Sequence, residues 1–312
     1  MEFIFTKPKI DGFLMAHDEW IFIDWVNYPN FSALNNKYPV CLIQILYYKA
    51  LETMIKFEDL LGIEHNPKYA EEICGFKDRI NEVFFDETLG GYYHDTAHTL
   101  KTKYGNIFAV LLDFATEEQK RAIAKSMNTA EFKEIVTPYM KLYELCAQAE
   151  LGNMEQVLDY MDFYWGGMLD QGATTFWEKY VPSQKGAEVY EMYGRKYGKS
   201  LCHSWGAGPL YLLGKYVVGL SPLDSAYEEY KLKPYLSKLK FKTHLPVNDG
   251  SISVEYTGDC LKIKSLEKDG VLIANENMDV TNLVYSEQKG GYILSRGKEH
   301  VVKIKEDAKN GQ

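Results

Sequence analysis

The run PVCLIQILYYKALETMIKFEDLLG (39–62) decides how most of this chain is read. Leu42, Ile45, Leu46, Ala50, Met54, Phe57 and Leu61 recur at steps of three and four residues. Gly62 stands where a helix stop belongs, so the spacing predicts an amphipathic helix over 39–61. The same period continues downstream. Helices are predicted over 67–83, opening with Pro67, over 104–114, and over 117–127 after Thr116 with Glu117 and Glu118 in the first turn. Further ones fit 131–151, closed by Gly152, then 154–168, 199–218, and 222–230 with Ser221 as cap and Pro222 at the first position. The part up to residue 231 is therefore expected to be helical.

From about Leu232 the period changes from helical to alternating. SISVEY (251–256) and LKIKS (261–265) flank a turn at 257–260, and YILS (292–295) and VVKIK (301–305) continue the alternation. Turn signals at 248–250 and 289–291 separate these runs. The expected organisation is a helical domain over 1–231 followed by a small antiparallel β-sandwich over 232–312.

The chain has 312 residues, 46% hydrophobic and 25% charged, which suits a packed globular protein and excludes disorder, collagen and coiled coil. Aromatic content is 14%, with 24 Tyr, 15 Phe and 5 Trp, a supply suited to stacking on flat ligands. A net charge of −9 with no basic stripe argues against nucleic acid. The five cysteines are scattered, and none form a CxxC pair, so neither a disulfide framework nor a zinc site is expected. The opening MEFIFTKPKI lacks a signal-peptide h-region, and no stretch approaches a membrane span, so a soluble cytoplasmic protein is expected.

Two segments inside the helical part, 85–103 and 169–198, are too long for plain connectors, and such loops are usually functional. The second holds GATTFWE (172–178), where Glu178 follows Trp177. A carboxylate beside an indole can be tuned in pKa or placed against a sugar. On spacing alone the plainer reading is a helix N-terminus, with Thr174 or Thr175 as cap and Glu178 in a capping box. DEWIFIDW (18–25) interleaves Asp18, Glu19 and Asp24 with Trp20 and Trp25. Acids that accept hydroxyl hydrogen bonds beside indoles could line a carbohydrate cleft, although a buried strand would read the same way. If the segment is extended, Trp20, Phe22 and Asp24 share one face and Ile21, Ile23 and Trp25 the other. SLCHSWGAGP (200–209) places His203 two residues before Trp205, either to meet a substrate hydroxyl or as a structural hydrogen-bonder. His94, His98 and His203 are too dispersed for a metal site, and no cofactor is expected.

In order, FIDW (22–25), a helix ending LLG, GATTFWE, and SLCHSWGAGPLYLLGKYVVGL ahead of a β-sandwich resemble the C-terminal part of the α-L-rhamnosidases of glycoside hydrolase family 78. The resemblance covers nearly the whole chain. It implies a mostly α fold, an (α/α)6 six-hairpin toroid followed by a small antiparallel β-sandwich, and inverting hydrolysis of terminal α-L-rhamnosides. It nominates Glu178 as general base. Trp177, Asp24, Trp25 and His203 match positions lining the family's sugar pocket, and Trp20 and Trp205 are taken to shape the same subsite.

The family's general acid lies in an acidic, arginine-containing motif of the type DCPxRDExxxW, and no such run occurs in this sequence. Inverting hydrolysis uses two carboxyls about 6.5–9.5 Å apart. The eight predicted helices are four fewer than a six-hairpin barrel contains, so the toroid is expected to be incomplete in this chain. The expected function is a rhamnosidase-like glycoside hydrolase. The alternatives are a non-catalytic carbohydrate-binding remnant, or one half of a split glycosidase completed by a partner chain or homo-oligomer.

Overall fold

In the computed structural model, which describes residues 1–15, 22–25, 37–237 and 239–305, Leu42 and Ile45 of the predicted stripe are buried together with Leu51, whereas Leu46, Phe57 and Leu61 are exposed. The chain divides into two units, Met1–Ala207 and Gly208–Gln312.

The first unit opens with a short helix, α1 (Glu2–Phe5), and a hairpin of β1 (Lys9–Ile10) and β2 (Phe13–Leu14). Helix α2 (Cys41–Leu61) ends at Gly62 in the left-handed conformation, as the spacing predicts. The single helix expected over 67–83 is two, α3 (Pro67–Ile73) and α4 (Phe76–Phe84). Cys74 is extended (ψ 118°) and Gly75 left-handed (φ 63°), which breaks the hydrogen-bond ladder and turns Phe76 and Ile80 into the core. A short hairpin, β3 (Phe85–Asp86) and β4 (Gly91–Tyr92), leads to α5 (Lys103–Leu111) and α6 (Glu117–Ser126). Thr116 and Gln119 form a reciprocal capping box on α6.

Helix α7 (Pro138–Glu150) starts seven residues later than the sequence pattern suggests, because Pro138 occupies its first turn and 131–137 is irregular. Helix α8 (Met154–Met161) runs through a π-helical turn at 162–166 into α9 (Gly167–Asp170). Helix α5 packs against both α2 and α7. Phe76, Ile80, Phe84, Tyr92, Tyr104, Ile107, Phe114 and Ile123 are among the side chains sealed in this core.

One feature of α5 and α7 is charged. Lys103 and Lys141 are buried with Glu144, and both ammonium groups also reach Glu134, at 2.7 and 2.6 Å. Lys103 meets Glu144 Oε1 at 2.7 Å, whereas Lys141 meets Oε2 as an ion pair without hydrogen-bond geometry. Two cations and two carboxylates balance there, with Glu134 on the exposed side, and such pairing is the condition for keeping the other three charges buried.

The second unit begins with α10 (Gly208–Leu212) and a π-helical turn at 213–217, so the helix expected over 199–218 is α-helical only over 208–212. Over 222–230 no α-helix forms, only a 3-10 turn at Ser225–Tyr227. Instead β5 (Leu220–Pro222) and β6 (Glu229–Leu232) pair antiparallel, because Leu220, Tyr230 and Leu232 are needed in the core at alternating positions. The strands that follow are β7 (Phe241–Val247), β8 (Gly250–Tyr256), β9 (Cys260–Ser265), β10 (Asp269–Leu272), β11 (Met278–Asp279), β12 (Tyr285–Ser286), β13 (Gly291–Leu294) and β14 (Glu299–Ile304).

They make two five-stranded sheets, in the orders β12-β13-β10-β6-β5 and β11-β14-β9-β8-β7. Every neighbouring pair is antiparallel except β6 with β10, which departs from a purely antiparallel sandwich. Leu232, Leu272 and Leu294 from one sheet meet Ile252, Val254, Ile263 and Val302 from the other in one core. Alternation along β8 shows the cause: Ile252, Val254 and Tyr256 are buried while Ser253 and Glu255 are half-exposed. Among the described residues, no helix is long and apolar enough to cross a membrane.

Candidate active site

GATTFWE does not start a helix. After Gly172 the chain runs alongside 200–203, with the Glu178 N–H donating to Ser200 O at 2.9 Å and the His203 N–H to Phe176 O at 2.8 Å. The Thr175 hydroxyl donates to the Leu201 carbonyl, so neither it nor Glu178 is spent on a capping box. Glu178 is 4% exposed and its two carboxylate oxygens face different donors. The Tyr193 hydroxyl donates to Oε1, and the Ser200 N–H donates to Oε2 at 3.0 Å. A buried carboxylate held by two donors is oriented and kept acceptor-ready.

The aromatic residues around it are equally placed. Trp177 is buried, edge-on to Tyr190, with the Lys199 ammonium 5.6 Å above its ring. Burial, then neighbouring Lys179, holds the Lys199 ammonium below its usual range, and Glu178 acts the other way. The Trp205 indole N–H donates to the Glu178 main-chain carbonyl at 3.1 Å. Tyr139 stacks on that indole at 5.5 Å and 14°, and His203 lies against it at 4.7 Å. The Trp165 indole donates to Gly206 O at 2.8 Å, pinning the turn at 204–206. Glu178, Trp177, His203 and Trp205 are thus brought into one constellation.

Asp24 is 1% exposed. It accepts from the Tyr104 hydroxyl at 2.7 Å, the Thr137 hydroxyl at 2.6 Å and the Trp25 N–H at 2.8 Å. Burial raises its pKa although Thr137, Tyr104, Trp25 and Lys179 all favour the charged form. Its charge reaches the hydroxyl of Tyr139, which burial first, then Tyr143 and Asp24, raise above the ordinary tyrosine value. The alternating faces expected over 20–25 do not form in the described part. Phe22 and Trp25 are both exposed and meet edge to face at 5.0 Å, while the intervening Ile23 and Asp24 are buried. Trp20, with Asp18 and Glu19, lies outside the described residues.

Sequence reasoning missed Tyr193, Tyr139, Lys199, Tyr104 and Thr137. Only Tyr193 carried a local sign, the Tyr-Gly pair of a tight turn. Among the described residues, no group of three or more His, Cys, Asp or Glu side chains is placed to hold a metal ion.

Residues 5–217 match the family model of the bacterial α-L-rhamnosidase six-hairpin glycosidase domain. The fold is similar to that of the GH78 family rhamnosidase of Bacillus sp. GL1, at 22% identity and a TM-score of 0.66 over 84% of this chain and 28% of that one. It is also similar to a Streptomyces avermitilis α-L-rhamnosidase complexed with L-rhamnose, at 13% identity and 0.68 over 97% and 30%. A Klebsiella oxytoca rhamnosidase with rhamnose bound matches at 24% identity and 0.52 over 69% and 40%. The chain therefore spans between 28% and 40% of the length of these structures. No curated protein sequence matches it.

Proposed function

Because the chain belongs to the bacterial α-L-rhamnosidase six-hairpin glycosidase family, we propose that it acts on terminal α-L-rhamnosyl or related sugars, with Glu178 as general base of an inverting hydrolysis. The observation that carries this reading is the Glu178 carboxylate, buried, held by Tyr193 and Ser200, and flanked by Trp177, His203 and Trp205. In the proposed step Glu178 takes a proton from water as the water oxygen bonds to the anomeric carbon. The glycosidic bond breaks, and a separate acid protonates the leaving oxygen. Trp205 and the exposed Trp25 present ring surface to the sugar and His203 holds a hydroxyl, while the buried Trp177 and Asp24, the latter fixed by Tyr104 and Thr137, support the wall behind them.

The general acid is not assigned to any residue of this chain. No run of the DCPxRDExxxW type occurs in this sequence, and a second reading answers to that observation: a non-catalytic carbohydrate-binding remnant, or one half of a split glycosidase that needs a partner chain. Hydrolysis of an aryl α-L-rhamnoside by the wild-type chain, reduced about 10²–10⁴-fold in Glu178→Gln, is the result expected for the base. Full turnover in that variant removes the assignment. Calorimetric binding of L-rhamnose without turnover moves the chain to the second reading.

A further inference from the structure

Tyr193 sits at the tip of a two-residue turn. Met192 and Arg195 exchange both main-chain hydrogen bonds, at 3.1 and 2.9 Å, and the two residues between them, Tyr193 and Gly194, have φ of 56° and 67°. Such a turn favours Asn, Asp or Gly at its first central position, and a tyrosine there is conformationally disfavoured. The ring is not compensated by burial, since Tyr193 is 58% exposed. What the unfavourable residue gains is one contact: its hydroxyl donates to Oε1 of a carboxylate that is itself almost wholly buried. The hairpin behind the tip is closed tightly. A Cβ on Gly198 would come within 2.2 Å of the Met192 carbonyl oxygen, and the Lys199 N–H bonds Tyr190 O at 3.1 Å. The tip is held in place by main-chain geometry, and a disfavoured backbone conformation retained at such a point marks a functional constraint.

We propose that Tyr193 is a positioning residue, donated from the hairpin tip to hold the Glu178 carboxylate in the orientation from which it accepts the proton of the attacking water. The inference rests on the reading of Glu178 as general base. Oε1 and Oε2 are each tied by one donor on opposite sides, from Tyr193 and Ser200, so the carboxylate plane is set by the hairpin and by the strand-like segment together. The charged groups around this pair are Lys199 and, beyond it, Lys179, with His203 against the Trp205 indole. Burial and the facing Glu178 carboxylate push the Tyr193 hydroxyl up to about 12, so it remains a donor through the neutral range.

The test uses the full chain and two readouts. The first needs no turnover: in protein labelled with ¹³C at the tyrosine ζ carbon, the Tyr193 resonance is identified by its loss in Tyr193→Phe and followed through alkaline pH. In the wild type it is expected to stay protonated past the ordinary tyrosine value of about 10. In Glu178→Gln, where the facing charge is gone, it is expected to titrate at lower pH. Ordinary titration in both proteins overturns the inference, whatever the activity. The second readout is the pH profile of aryl α-L-rhamnoside hydrolysis. Tyr193→Phe is expected to lower kcat about tenfold with KM changed less than about twofold, and to move the acid limb of kcat/KM to higher pH. An unchanged profile and kcat overturn the positioning role and leave Glu178 as base. Full turnover in Glu178→Gln overturns the base reading, and the resonance titration then still decides whether the contact exists.

Discussion

The Trp205 indole N–H donates to the main-chain carbonyl of Glu178 at 3.1 Å, so the position of the proposed base depends on a ring 27 residues further along the chain. Trp205→Phe keeps an aromatic partner for Tyr139 and His203 and removes the donor. It is expected to cost about 1–3 kcal/mol in urea unfolding, because the carbonyl loses that partner in a half-buried place. In turnover, kcat is expected to fall more than KM rises, since the displaced group is Glu178.

The buried cluster of Lys103, Lys141 and Glu144, met from the exposed side by Glu134, predicts a strong asymmetry between single and paired substitution. Lys141→Met strands Glu144 beside a single remaining lysine and is expected to destabilise the first unit by about 3–5 kcal/mol. Adding Glu144→Leu removes the stranded charge and is expected to recover a large part of that loss. A double-mutant cycle in denaturant measures the coupling.

Acid lability follows from Glu134. Partial burial opposes its charge, yet Lys141 and Lys103 outweigh it and hold its carboxyl below the ordinary glutamate range. A depressed carboxylate contributes stability above the unfolded value, and that contribution disappears as pH falls through the lower folded value. Melting temperature measured downward from neutral pH is therefore expected to drop more steeply below about 4.5 in the wild type than in Glu134→Gln. Parallel curves contradict the assignment.

Gly219 is a test of main-chain approach in the second unit. It has φ of 77°, and a Cβ there would fall 1.9 Å from the Lys233 carbonyl oxygen. Gly219→Ala is expected to destabilise the protein by at least about 3 kcal/mol, or to prevent soluble folding. Gly214→Ala serves as the control: nothing lies within 4 Å of the added carbon, and the change is expected to stay within about 0.5 kcal/mol.

Local patterns were legible wherever a stop residue, a capping pair or a strand's alternation marks the element. The stripe of α2 with Gly62, the Thr116 cap of α6, and the alternation of β8 and β9 are all visible in the residues themselves. Ser221-Pro222 carried an equally good local sign of a helix start, and there the sign misled. Leu220 and Leu232 pair across β5 and β6, and pairing to β10 outweighs local preference. Cys74-Gly75 failed for the opposite reason, since one left-handed glycine interrupts a helical period that continues on both sides.

For the candidate site, the sequence by itself determined the membership of two motifs, GATTFWE and SLCHSW, and through their likeness the family. It left open whether Glu178 caps a helix or faces a cleft, because both readings use the same four-residue spacing. Tertiary structure alone decided that Glu178 is held by Tyr193 and Ser200, 15 and 22 residues away, and that Asp24 is held by Tyr104 and Thr137, 80 and 113 residues away. The physical reason is that a buried carboxylate needs donors wherever the folded chain can supply them, and such pairings follow desolvation and packing and leave no period in the sequence.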